Sequence, residues 1–167
     1  EMGHDPKKYP MEKIIATAEL ASMLESDATP KLVKAMGDKD SAVRYWGAMG
    51  ILMREKPGVE AARDTLVEAM KEDSSGSVRA IAAHALGLYG TDADAAEALN
   101  VLLDLASVEK NSVFVAMLAV TALDEMGERA SSAKERIAAL PQKPKKAPPR
   151  TEGYLARLLE KVMGDMK

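Results

Sequence analysis

The chain contains no cysteine. Disulfides, thiolate nucleophiles and Cys-ligated metals are therefore excluded, and the redox compartment stays open. Aromatic residues make up only 4% of the 167 positions, with a single Trp and a single Phe. Ala and Leu fill the apolar share instead, which favours helix over strand. Neither sign of charge dominates, since 23 Lys and Arg stand against 26 Asp and Glu. That balance disfavours a nucleic-acid partner. No apolar run approaches the ~18 residues that a membrane-spanning helix needs. No basic-then-apolar leader is visible, and the chain opens on Glu1, as expected of a fragment or a processed chain. What remains, 47% hydrophobic and 29% charged, is the composition of a soluble globular chain rather than a disordered one.

What the sequence does contain is an internal repeat. Leu32–Arg44, LVKAMGDKDSAVR, resembles Leu66–Arg79, LVEAMKEDSSGSVR. The two Val-Arg pairs stand 35 positions apart, and a third related segment, Val115–Gly127, follows after another 37. A period of this length marks a solenoid of helix pairs. In the first helix of each unit, apolar or small residues recur at helical spacing: Val43, Trp46, Gly47, Gly50; Val78, Ile81, Ala82, Ala85; Val115, Leu118, Ala119, Ala122. The second helices are expected at Pro30–Met36, Val59–Met70, Ala93–Ala106 and Ser132–Leu140. Thr29 before Pro30 is the expected N-cap, and Ser132 with Glu135 fits a capping box. Gly90 and Gly127 stand where first helices should stop.

Met11–Leu24 adds an earlier amphipathic helix, which makes about four helix pairs over 11–140. Residues 1–10 read as an extended N-terminal segment. The stretch 141–151 is rich in Pro and Lys and reads as a solvated linker. Over 152–166 a last helix carries Tyr154, Leu155, Leu158, Leu159, Val162 and Met163 on one face. It either caps the stack, docks on an upstream domain, or docks on a second copy. The predicted fold is all-α, a short solenoid with an outlying C-terminal helix.

An Asp, then Val-Arg, then a small-residue helix ending in Gly resembles the HEAT repeats. Lys8–Ser22, Val43–Leu52 and Val113–Ala130 resemble, more narrowly, the HEAT-repeat region that follows the catalytic domain in bacterial sulfatases of the arylsulfatase A and heparan N-sulfatase type. The C/S-x-P-x-R motif that supplies the sulfatase nucleophile is missing, as is an Asp-Asp pair. The resemblance thus implies a non-catalytic appendage whose catalytic domain lies upstream, in an exported parent. Two other readings stay open. One is an independent scaffold binding a protein in its concave groove. The other is a relative of the phycobilin lyases, which also carry HEAT-like repeats.

The resemblance assigns Arg44 and Arg79 to a ladder that ties repeats together through loop aspartates, with Asp38, Asp40 and Asp73 as candidate partners. Ala116 replaces the Arg in the third unit, where the ladder should stop. A ligand-binding role for one Arg is the competing reading. Trp46 falls on the core stripe, and Gly47 and Gly50 are expected to clear space for the indole or for a neighbouring helix. Tyr45 lies off the stripe and is the candidate for an outside contact. His84 also lies off the stripe and is expected at the surface or in a hydrogen bond rather than on a metal. His4 and Asp5 are no better candidates for a metal. Glu68, Glu97 and Asp104 fall on polar helix faces and pair into no acid–base constellation. Lys143, Lys145, Lys146 and Arg150 form a basic stretch that could touch an anionic polymer. No catalytic residue, cofactor or metal is expected of this chain. The expected partner is an upstream catalytic domain or another protein, not nucleic acid or membrane.

Overall fold

The structure is a computed structural model that describes residues 9–142, 151 and 153–165. His4, Asp5 and the basic residues from Lys143 to Arg150 lie outside this set. Among the described residues there is no strand. The α-helices are α1 (Met11–Ser22), α2 (Thr29–Met36), α3 (Ser41–Leu52), α4 (Glu55–Glu72), α5 (Gly76–Tyr89), α6 (Asp92–Leu105), α7 (Val113–Met126), α8 (Lys134–Ala138) and α9 (Tyr154–Asp165).

The small-residue period of the sequence becomes a layer. α3 packs between α1 and α5, and α5 between α3 and α7. α2, α4 and α6 lie against this layer: α2 on α3, α4 on α5, and α6 on α5 and α7. This is the all-α solenoid that the repeat predicts. The central helix α5 is buried along nearly its whole length, from Val78 to Gly87, because Ala occupies four of those positions and lets four helices close around it. The C-terminal helix continues the first layer. α9 packs on α7 and α8 and buries Leu155, Leu159 and Val162. Burial of each such side chain contributes roughly 1.5–3 kcal/mol, enough to hold a helix too short to persist alone. Lys161 Nζ adds a 2.7 Å contact to Asp124 on α7.

Helix ends depart from the expectations in three places. α1 stops at Ser22, before Met23 and Leu24, because Leu24 takes a left-handed backbone (φ 56°). Thr29 is the first residue of α2 rather than its cap, and a 3₁₀ turn over Ser26–Ala28 leads into it. The capping box expected at Ser132 does not form. Gly127 ends α7 with φ 52°, and a 3₁₀ run over Gly127–Ala133 buries Ala130 and Ala133 before the short α8 begins. The full capping box sits elsewhere, between Thr91 and Asp94 at the start of α6.

Candidate functional site

The loop before each first helix carries the residues expected of a ladder, and their geometry separates them. Asp40 caps α3, accepting hydrogen bonds from the backbone N–H groups of Ala42 and Val43. Asp38 accepts from Lys13 Nζ on α1 and from the Asp40 N–H. Lys13 is the leading cause that lowers the Asp38 pKa. Arg44 reaches forward to the next loop. Its Nε and Nη2 donate to the two oxygens of Asp73 at 2.7 and 2.8 Å, and Nη1 donates to the Asp38 and Lys39 carbonyls. The Arg44 and Asp73 side chains are only 13% and 7% exposed, so this rung is less screened than an ordinary surface pair. Burial pushes the Asp73 carboxyl up, but Arg44, the Ser75 N–H and the Arg79 charge together hold it below its ordinary value. Arg79 donates to the Met70 carbonyl at 3.0 Å instead of to a carboxylate. The position that matches Asp38 and Asp73 in the following loop is Lys110, which turns to Asp104.

Tyr45 and Trp46 are both half-buried against the core and meet edge to face, with centroids 5.8 Å apart. Burial raises the Tyr45 pKa. The glycines beside them serve the neighbouring helices rather than the indole. A methyl group on Gly47 would stand 2.9 Å from the Leu32 carbonyl oxygen, and one on Gly50 would stand 2.7 Å from Leu32 Cδ2 and 2.9 Å from Ala21 Cβ. α2 and α1 therefore approach α3 closely enough to exclude any side chain at those two positions.

His84 is buried on α5, with Nε2 3.0 Å from Glu125 Oε2 on α7 but not in an aligned hydrogen bond. Burial pushes its pKa down, against the pull of the Glu125 carboxylate. Among the described residues no group of three His, Asp or Glu is placed to hold a metal ion. No described helix is long and apolar enough to cross a membrane.

A surface groove of about 880 Å³ lies between α2 and α4. Leu24, Pro30, Val33, Met53, Pro57 and Ala61 make it apolar, and Asp27 and Glu55 add carboxylates. Leu24 and Met53 are 54% and 39% exposed, and of the exposed large apolar side chains, which also include Met11, Ile15 and Phe114, they are the two that line this groove. Leu24 and Glu55 (φ 52°) are also the non-glycine residues with positive φ among those described. Strain of this kind costs on the order of 1–3 kcal/mol per residue and persists only where the surroundings impose it. Arg54 imposes it here. Its five N–H bonds go to the carbonyls of Leu20, Ala21, Gly50 and, twice, Glu25, so it gathers the C-terminal ends of α1 and α3 under the groove.

The family model described as HEAT repeats matches residues 7–87. Residues 7–87, just under half of the chain, are thus similar to HEAT repeats. A search of curated proteins found no match. The HEAT match covers the first two Val-Arg units and carries no link to sulfatases. Two clamps inside and beyond this region have no counterpart in the sequence reading. Arg54 is one. Arg129 is the other: it donates to the carbonyls of Leu88, Gly90 and Thr91 and so holds the end of α5 as Arg54 holds the end of α1. A cation one to three residues past a first helix was the available signal, since it suits the negative end of a neighbouring helix.

Proposed function

We propose that this chain is a non-catalytic interaction scaffold, a HEAT-type stack that presents one surface groove to a protein partner. The observation that carries the reading is the α2–α4 groove, where exposed Leu24 and Met53 stand together with Pro30, Val33 and Pro57 as one apolar wall. An enzyme reading lacks support of this kind, because the polar clusters described above each serve a helix end or a repeat junction.

The parent that fits best is a sulfatase-type hydrolase, exported, with this region packing on its catalytic domain or helping to hold a polymeric substrate. The support for this is the likeness of Val43–Leu52 and its flanks to such regions. Selection of a displayed peptide library on the whole chain tests the scaffold. Enriched binders should protect backbone amides on one contiguous face from exchange; enrichment no better than bare resin would remove the reading. Mixing the chain with a separately purified sulfatase-type catalytic domain tests the parent. Co-elution supports it, and separate elution at micromolar concentration counts against it. The chain alone should leave sulfate esters unhydrolysed.

A further inference from the structure

We infer that the α2–α4 groove takes a protein segment in which apolar side chains are flanked by Lys or Arg. This rests on the scaffold reading and adds the site and the chemistry of the partner. The apolar wall is preformed. The left-handed backbone at Leu24 holds that side chain out of the α1 core stripe and at the groove, and Met53 stands with it at the turn between α3 and α4. A partner side chain seated between Leu24, Val33 and Met53 would therefore cover exposed apolar surface without rearranging the stack.

The charge of the site decides the flanking residues. Asp27 and Glu55 line the groove and, among the described residues, have no ion-pair or hydrogen-bond partner, Glu55 having only a repulsive effect on the Tyr89 hydroxyl. Arg54 is the cation in the lining, but all five of its donors are already committed to backbone carbonyls. The two helix starts that face the groove each carry a proline in the first turn, Pro30 and Pro57, which removes an N–H that could meet an anion. Lys56, next to the rim, points at Glu60 on its own helix. A cationic segment thus finds two free carboxylates, while an acidic one finds the guanidinium already occupied and two like charges.

Three pools of labelled 12-residue peptides test this, with the same randomised Leu, Met and Phe positions and with Arg/Lys, Gln or Glu at the flanks. Fluorescence polarisation against the full chain should rank the basic pool tightest, roughly tenfold over the Gln pool, with the advantage falling as salt rises. Met53→Glu should abolish binding. Asp27→Asn with Glu55→Gln should keep binding but reduce the preference for the basic pool to about threefold or less. Phe114→Ala, exposed on α7, is the control and should change nothing; circular dichroism checks that each variant is folded. Equal binding of basic and acidic pools, or wild-type binding by Met53→Glu, overturns the inference, and so does failure of all three pools. If library-selected binders then protect another face, the scaffold reading survives without this groove. If the library also yields nothing, both fall.

Discussion

Asp94 offers the sharpest test of how the repeats are tied. Its carboxylate is 2% exposed and accepts four hydrogen bonds, two from Arg63 on α4 (2.8 and 2.6 Å) and two from Thr91. The Arg63 bonds lead the causes that bring its pKa from 3.8 down to about 2. At ~1.4 kcal/mol per pKa unit that shift corresponds to about 2 kcal/mol, and screening at the half-exposed Arg63 reduces it to about 1–2 kcal/mol. The folded pKa is depressed, so this stability is present above the unfolded value near 4 and is lost as pH falls toward 2. Asp94→Asn keeps the shape and one acceptor and removes the charge. Urea unfolding at pH 7 should show a loss of about 1–2 kcal/mol, with the melting temperature lower by roughly 2–8 °C. The gap between wild type and variant should hold down to about pH 4 and close between pH 4 and pH 2. A gap under about 0.5 kcal/mol at pH 7, or one of constant size down to the acid limit, would refute the assignment of Asp94 as the charged tie between α4 and α6.

Arg54→Ala should cost about 2–4 kcal/mol in urea unfolding, since four carbonyls lose a charged donor, and Arg54→Lys should recover only part of it, because an ammonium cannot reach four separate carbonyl groups at once. Gly50→Ala should destabilise by about 1–3 kcal/mol by thermal melting, even though Ala favours helix by up to ~1 kcal/mol, because its methyl group meets Leu32 and Ala21; a stabilised variant would show that the helices can part. His84 should titrate below 6.5 by NMR. Because its folded pKa is lowered, the stability it contributes is complete above about pH 6.5 and declines as pH falls, and His84→Gln should lose that part of the pH dependence.

The apolar period was legible because it is a property of every first helix. Val43 and Val78 are fully buried, as are Ala119 and Ala122 of the third unit, but Val115 and Leu118 of the expected stripe are only half-buried there, and Val113 and Ala116 are buried instead. The glycines of α3 were legible as clearance for the indole or for a neighbouring helix, and the packed stack decides for the helices, since Leu32, Met36 and Ala21 take the space. Ser132 with Glu135 matches a capping box as well as any pair in the chain, yet it fails. Gly127 redirects the backbone, and Arg129 holds the turn against the end of α5, so the stretch tightens into 3₁₀ before a cap can form. The groove was illegible for a related reason. Its apolar wall depends on a left-handed Leu24, a conformation that sequence pattern disfavours and that Arg54 braces through the carbonyls of Glu25 and Ala21, 29 and 33 positions away along the chain.

These cases share a cause, which lies in how the junctions are tied. α1 meets α3 through Lys13 with Asp38 and through the Arg54 clamp. α3 meets the loop before α5 through Arg44 and Asp73, and α4 meets α6 through Arg63 and Asp94. Between α5 and α7 the expected rung is missing because Lys110 stands where an acid would be, and the Arg129 clamp and the His84–Glu125 contact lie there instead. α7 holds α9 through Asp124 and Lys161. Apolar burial can repeat because every junction needs the same thing from it, whereas a polar tie has only to satisfy the particular carbonyls and carboxylates left over at its own junction. Local variation in these ties is therefore compatible with one fold, and it lets the first junction carry two strained turns, at Leu24 and at Glu55, that Arg54 joins through backbone carbonyls instead of a carboxylate.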